Sequence, residues 1–188
     1  ELAQWRARQV RQRSYAEDVL PGLEALRGRF DVFNYGEVVY GDERFALMAI
    51  RTHDWQPDLP SVLVTGGVHG YETSGVLGAL RFVQAHAHNY AGRVNLLVVP
   101  CVSPWAYERV QRWNFDALDP NRSFRDNSPA QESAALLRLI APLRGQFAAH
   151  IALHETPDTA ESEFRPAVAA AYGRALKKYP DALRRLAD

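Results

Sequence analysis

Val68-His69-Gly70-Tyr71-Glu72 sets an imidazole and a carboxylate three positions apart, in a stretch whose glycines let the backbone turn sharply. Side chains at that spacing can reach one ion from a single turn. A neutral ring nitrogen and a carboxylate oxygen suit Zn²⁺, whose catalytic sites take three protein ligands and keep one position open. The pattern is common by chance, and the plain alternative is a surface histidine beside a glutamate favoured by a helix start. Further along lies Asp119-Pro120-Asn121-Arg122, with Arg112 upstream of it. An acid, an amide and two guanidinium groups this close could build an anion-binding wall, since arginine clamps a carboxylate with paired hydrogen bonds. Ordinary turn chemistry accounts for the same letters. The third candidate is His154, in Leu153-His154-Glu155-Thr156, where a satisfied structural histidine is the competing reading.

The surrounding pattern says what must position these groups. Ser61–Thr65, Val94–Pro100 and Ala148–Leu153 are short apolar runs of the kind that form strands buried on both faces. Gly75–Val83 has helical spacing, with Val76, Leu80 and Val83 on one side. Ser103-Pro104 and Ser128-Pro129 read as helix starts with a serine N-cap, the second completed by Gln131 as a capping box and opening a helix to about Phe147 that Pro142 interrupts. Strand, helix and strand alternate, which predicts an α/β sheet with parallel neighbours. His69 and His154 each fall at or just past the end of such a strand, where loops of an α/β sheet place their sites. Ahead of this, residues 1–30 read as helix broken at Pro21-Gly22, and Phe30–Tyr40 with Phe45–Thr52 as two strands around Gly41-Asp42.

Composition narrows the partners. The chain has 188 residues, 47% hydrophobic, which suits a single domain over residues 1–188 with a real core. Its 22 basic and 22 acidic residues leave no net charge to recruit nucleic acid or a membrane surface, and neither is expected as a partner. No basic patch, aromatic array or glycine-rich phosphate loop argues otherwise, and no apolar run is long enough to span a bilayer. Cys101 is the only cysteine, which excludes an internal disulfide and a cysteine zinc site and reads as a small buried hydrophobe. A cytoplasmic location is expected, with a processed leader as the alternative, since the chain opens at Glu1.

Taken in order, Gly66-Gly67-Val68-His69-Gly70-Tyr71-Glu72, Asp119-Pro120-Asn121-Arg122 and Leu153-His154-Glu155-Thr156 resemble the motifs of the zinc carboxypeptidase superfamily. That superfamily joins the metallocarboxypeptidases to the aspartoacylase and succinylglutamate desuccinylase deacylases, and the resemblance covers roughly residues 30–165. It implies a carboxypeptidase-like α/β fold, with a central mixed, largely parallel sheet flanked by helices. It also implies zinc held by His69, Glu72 and His154, with Asp119 orienting a metal-bound histidine. Asn121 and Arg122 match the pair that grips a substrate carboxylate, and Arg112 the group that polarises the scissile carbonyl, with Arg109 as a competitor for that role. The implied activity is zinc-dependent hydrolysis of an amide in a small peptide or amino-acid substrate with a free carboxylate. N-acyl amino acid deacylation and a non-catalytic zinc-binding homologue are the alternatives.

Two departures accompany the resemblance. Related deacylases often carry an aspartate where this chain has Ala152. The superfamily's general base is a glutamate on a late strand; Glu155, Glu161 and Glu163 are the acids in reach, and none matches it. On that ground the C-terminal part of the domain is expected to be missing from this sequence.

Overall fold

The computed structural model describes residues 1–155. The N-terminal segment forms three short helices, α1 (Leu2–Ala7), α2 (Tyr15–Asp18) and α3 (Leu20–Glu24). The expected break at Pro21 is displaced. Proline sits in the first turn of α3, where its missing N–H has no helical partner to lose, and the chain leaves helix between α1 and α2 instead. Ser14 caps α2 by accepting the Glu17 N–H at 3.2 Å.

The hairpin forms as expected. β1 (Asp31–Tyr40) and β2 (Glu43–Arg51) pair antiparallel down to Tyr40 opposite Glu43. The tight connection needs a left-handed first loop residue, which Gly41 supplies at φ +61. Two further strands, β3 (Ser61–Gly66) and β4 (Asn95–Val99), are buried on both faces, and β5 (Phe147–Leu153) completes the order β1-β2-β4-β3-β5. The sheet is mixed. β2 meets β4 antiparallel, while β4, β3 and β5 run parallel, so the parallel part is the part that ends at the candidate residues.

Alternation along the central strands selects the two layers. Val64, Leu96 and Val98 pack with Val76, Leu80 and Val83 of α4 (Thr73–Ala85). Their neighbours Leu63, Leu97 and Val99 pack with Leu136 and Ile140 of α6 (Gln131–Ile140), which follows the short α5 (Pro104–Glu108). The period of two in the strands and the i, i+4, i+7 spacing in α4 bring these side chains together. Each fully buried aliphatic side chain contributes about 1.5–3 kcal/mol. Among the described residues no helix is long and apolar enough to cross a membrane.

Three local expectations are corrected. α5 starts at Ser103-Pro104 as expected, but Ser103 makes no side-chain capping bond, and its hydroxyl donates to the Val68 carbonyl at 2.8 Å. α6 begins at Gln131, not at Ser128-Pro129, and the Gln131 amide bonds the Val39 N–H and C=O of β1 at 3.0 and 2.8 Å instead of closing a capping box. It ends at Ile140, and Pro142 lies in a 3₁₀ turn beyond it. Finally β5 is largely exposed, not buried: among the described residues it pairs only with β3 and forms the edge of the sheet.

Candidate metal centre

At the end of β3 the backbone reverses through Gly67, whose φ of +59 strains any residue with a side chain. The turn is tied to the end of β4, since Val102 and Ser103 N–H groups donate to the Gly66 and Gly67 carbonyls at 3.0 Å. Two parallel strands thus present their loops side by side at the carboxyl edge of the sheet. Gly70 then lies directly on the Ala106 backbone, where a Cβ would overlap it. Tyr71 N–H donates to the Gln111 carbonyl at 3.1 Å, and Glu72 takes the N-cap position of α4.

Glu72 makes no side-chain capping bond, so its carboxylate is free for other partners. Its Oε1 lies 2.8 Å from His69 Nδ1 and 3.0 Å from His154 Nδ1, and its Oε2 lies 2.9 Å from the same His154 nitrogen. His69 and Glu72 are each 2% exposed, whereas His154, just past β5, keeps 35% of its side chain exposed. Buried groups therefore form the floor and His154 the rim. The ligand atoms of these three residues all lie within 4.8 Å of one another, two nitrogens and a carboxylate that could hold one divalent metal ion. Burial pushes the Glu72 carboxyl up, but hydrogen bonds from His69 and His154 outweigh it and hold it below the usual range.

The other ring edge of His69 faces Asp119. Nε2 lies 3.1 Å from Asp119 Oδ1 and would donate to it in a metal-bound ring, with Nδ1 as the nitrogen for the ion. Asp119 precedes a 3₁₀ turn (Pro120–Arg122) and accepts the Asn121 N–H at 2.9 Å. Its Oδ2 accepts two N–H groups of Arg112, Nε at 3.1 Å and Nη2 at 3.0 Å. Burial raises the Asp119 carboxyl, and His69 and Arg112 together bring it below its ordinary value. Arg112 Nη1 approaches the Tyr71 hydroxyl at 3.5 Å, and the Tyr71 ring lies parallel to His69 with centroids 5.9 Å apart.

The remaining candidates fall as follows. Asn121 borders a cavity of about 260 Å³ that also touches His154, Leu63 and Ile140. Arg122 is exposed, with no carboxylate paired to it among the described residues. Arg109 is elsewhere, bonded to both oxygens of Glu43 at 2.7 and 2.8 Å and packed over the Trp105 ring. Glu155 accepts the Ser74 N–H and hydroxyl at 2.9 Å, at the first turn of α4. Glu161 and Glu163 lie outside the described residues. One residue with no role in the sequence reading, Arg13, donates from outside all three motifs to the Gly70 carbonyl at 2.6 Å.

A model of the succinylglutamate desuccinylase/aspartoacylase catalytic domain matches residues 58–183. No curated protein matches by sequence. Among solved structures, a proposed metallopeptidase from Shewanella denitrificans is 28% identical with a TM-score of 0.63, aligned over 73% of this chain and 52% of its own. This chain thus spans about half the length of that protein. A proposed metallopeptidase from Shewanella amazonensis is 22% identical with a TM-score of 0.60, covering 89% of this chain and 73% of its own. Carboxypeptidase A from Helicoverpa armigera is 16% identical at a TM-score of 0.59, over 82% and 51% of the two chains. These likenesses show a carboxypeptidase-like fold.

Proposed function

The chain belongs to the succinylglutamate desuccinylase/aspartoacylase catalytic-domain family, and from that premise we propose that it is a zinc-dependent hydrolase of amide bonds in small substrates with a free carboxylate. The observation that carries this reading is the convergence of His69, Glu72 and His154, with Asp119 on the far edge of the His69 ring. His69 Nδ1, the Glu72 carboxylate and His154 Nδ1 would hold the ion. Zn²⁺ there supplies Lewis acidity, which polarises a carbonyl and lowers the pKa of water.

The chain's own groups supply the rest. Asp119 fixes the His69 tautomer by accepting a hydrogen bond from its Nε2–H, and it fixes Arg112 by accepting from two of that side chain's N–H groups. Arg112 keeps Nη1 for the Tyr71 hydroxyl and for negative charge developing on a substrate oxygen. Arg122 and Asn121 sit one turn from Asp119, exposed and available to clamp a carboxylate. The substrate's free carboxylate and its scissile carbonyl would therefore meet two different arginines, separated by the turn that Asp119 starts.

Two substrate classes fit. Cleavage of a carboxyl-terminal residue from a small peptide is the first, and the fold likeness to carboxypeptidases favours it. Deacylation of an N-acyl amino acid is the second, and the matched family favours it. Assays of the purified protein with carboxylate-terminated dipeptides and with N-acyl amino acids, each with added zinc and with a chelator, separate them. Zinc-dependent release of product from either class supports hydrolysis, and none from both, in a protein that holds zinc, leaves only metal binding.

A further inference from the structure

We propose that Arg13 is the positioning residue that holds the loop between His69 and Glu72 in the shape that ligates metal; this rests on the metal-site reading above. Arg13 is outside the residues that the family match covers. Its guanidinium spreads over three acceptors, with Nη2 on the Gly70 carbonyl at 2.6 Å, Nη1 on the Thr73 hydroxyl, and Nε on the Tyr107 carbonyl at 2.6 Å. Gly70 and Thr73 bracket the turn that separates the two ligands, so one planar fork spans it from outside. No carboxylate pairs with Arg13 among the described residues, and its charge is directed at neutral acceptors and at the Tyr107 ring, whose centroid is 3.8 Å from Cζ. A charge-assisted hydrogen bond to a backbone carbonyl is stronger than a neutral one, and the rigid fork fixes direction as well as distance.

The fork can act as a clamp because its own base is fixed. Gln12 and Arg13 N–H groups donate to the Glu108 carbonyl at 2.8 and 3.2 Å. The buried Glu108 carboxylate takes the Tyr15 N–H at 2.9 Å and Arg11 at 3.0 Å. Residues 11–15 are therefore strapped to the end of α5, and the backbone of that same helix, at Ala106, is the surface on which Gly70 rests. Loop, helix end and strap close a triangle, with Arg13 at the corner nearest the ligands.

The test is zinc affinity, read by competition with a chromophoric chelator, together with the visible spectrum of the cobalt-substituted protein. Arg13→Ala is expected to weaken zinc about 10–100-fold and to shift the cobalt bands, as loss of outer ligand support does. Arg27→Ala, which removes an exposed arginine bonded to Glu24 and in contact with neither the loop nor the strap, is expected to match wild type in both. Should Arg13→Ala be too unstable to measure, Arg13→Lys decides, because an ammonium lacks the fork and zinc should still weaken several-fold in a folded protein. Wild-type zinc affinity and cobalt spectrum in a folded Arg13 variant would overturn the proposal while leaving the metal site intact. A wild-type protein that binds no zinc overturns the site reading and this inference with it.

Discussion

Asp119 Oδ1 lies 3.1 Å from His69 Nε2, on the ring edge opposite the nitrogen that faces Glu72 and His154. This carboxylate is not among the candidate ligands, yet it would hold the proton of a metal-bound His69 on Nε2. Asp119→Ala should therefore weaken zinc about 10–100-fold without removing a ligand. It should also release Arg112, so turnover at saturating zinc should fall as well. Metal competition and steady-state kinetics on the same preparation check both.

The two arginines should fail differently. Arg122→Ala is expected to raise KM or weaken a carboxylate inhibitor by about 1.5–3 kcal/mol, with zinc retained. Arg112→Ala should lower kcat, since its partner charge develops mainly in the transition state. Arg109→Ala should lower stability through lost contacts to Glu43 and Trp105 while leaving zinc affinity unchanged. A zinc or kcat defect in Arg109→Ala with normal Arg112→Ala would reverse the assignment.

Val110 carries the strain of the loop that leads to Arg112. It sits at φ +53 after α5, with its N–H on the Tyr107 carbonyl and the Gln111 N–H on the Ala106 carbonyl. That is a left-handed helix end where glycine is the ordinary residue. A left-handed backbone strains a non-glycine residue by about 1–2 kcal/mol, and glycine gives back about 0.4–1 kcal/mol through the freer unfolded chain. Val110→Gly should thus stabilise by up to about 1.6 kcal/mol, seen as a higher urea midpoint.

Glu132 gives a pH signature outside the candidate metal centre. It is fully buried, accepting from the Tyr40 hydroxyl at 2.6 Å and from Asn114 at 3.1 Å, with no cation paired to it among the described residues. Burial raises its carboxyl above the ordinary 4.5, only partly offset by those bonds. Folded Glu132 therefore holds its proton more tightly than unfolded Glu132. Its contribution is fully present below pH 4.5 and is lost as pH rises from there through the raised value. The stability margin of wild type over Glu132→Gln should narrow over that rise, and a widening margin would contradict it.

The parts legible in the sequence are those set by local periodicity. β3 and β4 announce themselves as uninterrupted apolar runs, and the spacing of His69 and Glu72 survives folding because one turn holds both. Misplaced features depend on distant partners. Ser103 and Gln131 carry good capping letters, but each spends its side chain on a backbone group in another element. β5 has the composition of a buried strand, yet among the described residues it pairs only with β3 and little packs on its faces. Arg13 leaves no mark in the letters around it, because its partners lie in the loop after β3 and at the end of α5.

Zinc content is the most direct measurement. Purified protein, loaded with zinc and freed of excess, should hold about one ion per chain, and His69→Ala should hold almost none, since two remaining ligands are too few. His53→Ala and His150→Ala should keep the wild-type content, because His53 lies 3.7 Å from Asp31 and His150 bonds Thr65 at 2.9 Å. A wild-type chain that retains no zinc, or a His69→Ala chain that retains it fully, would contradict a metal centre at His69, Glu72 and His154.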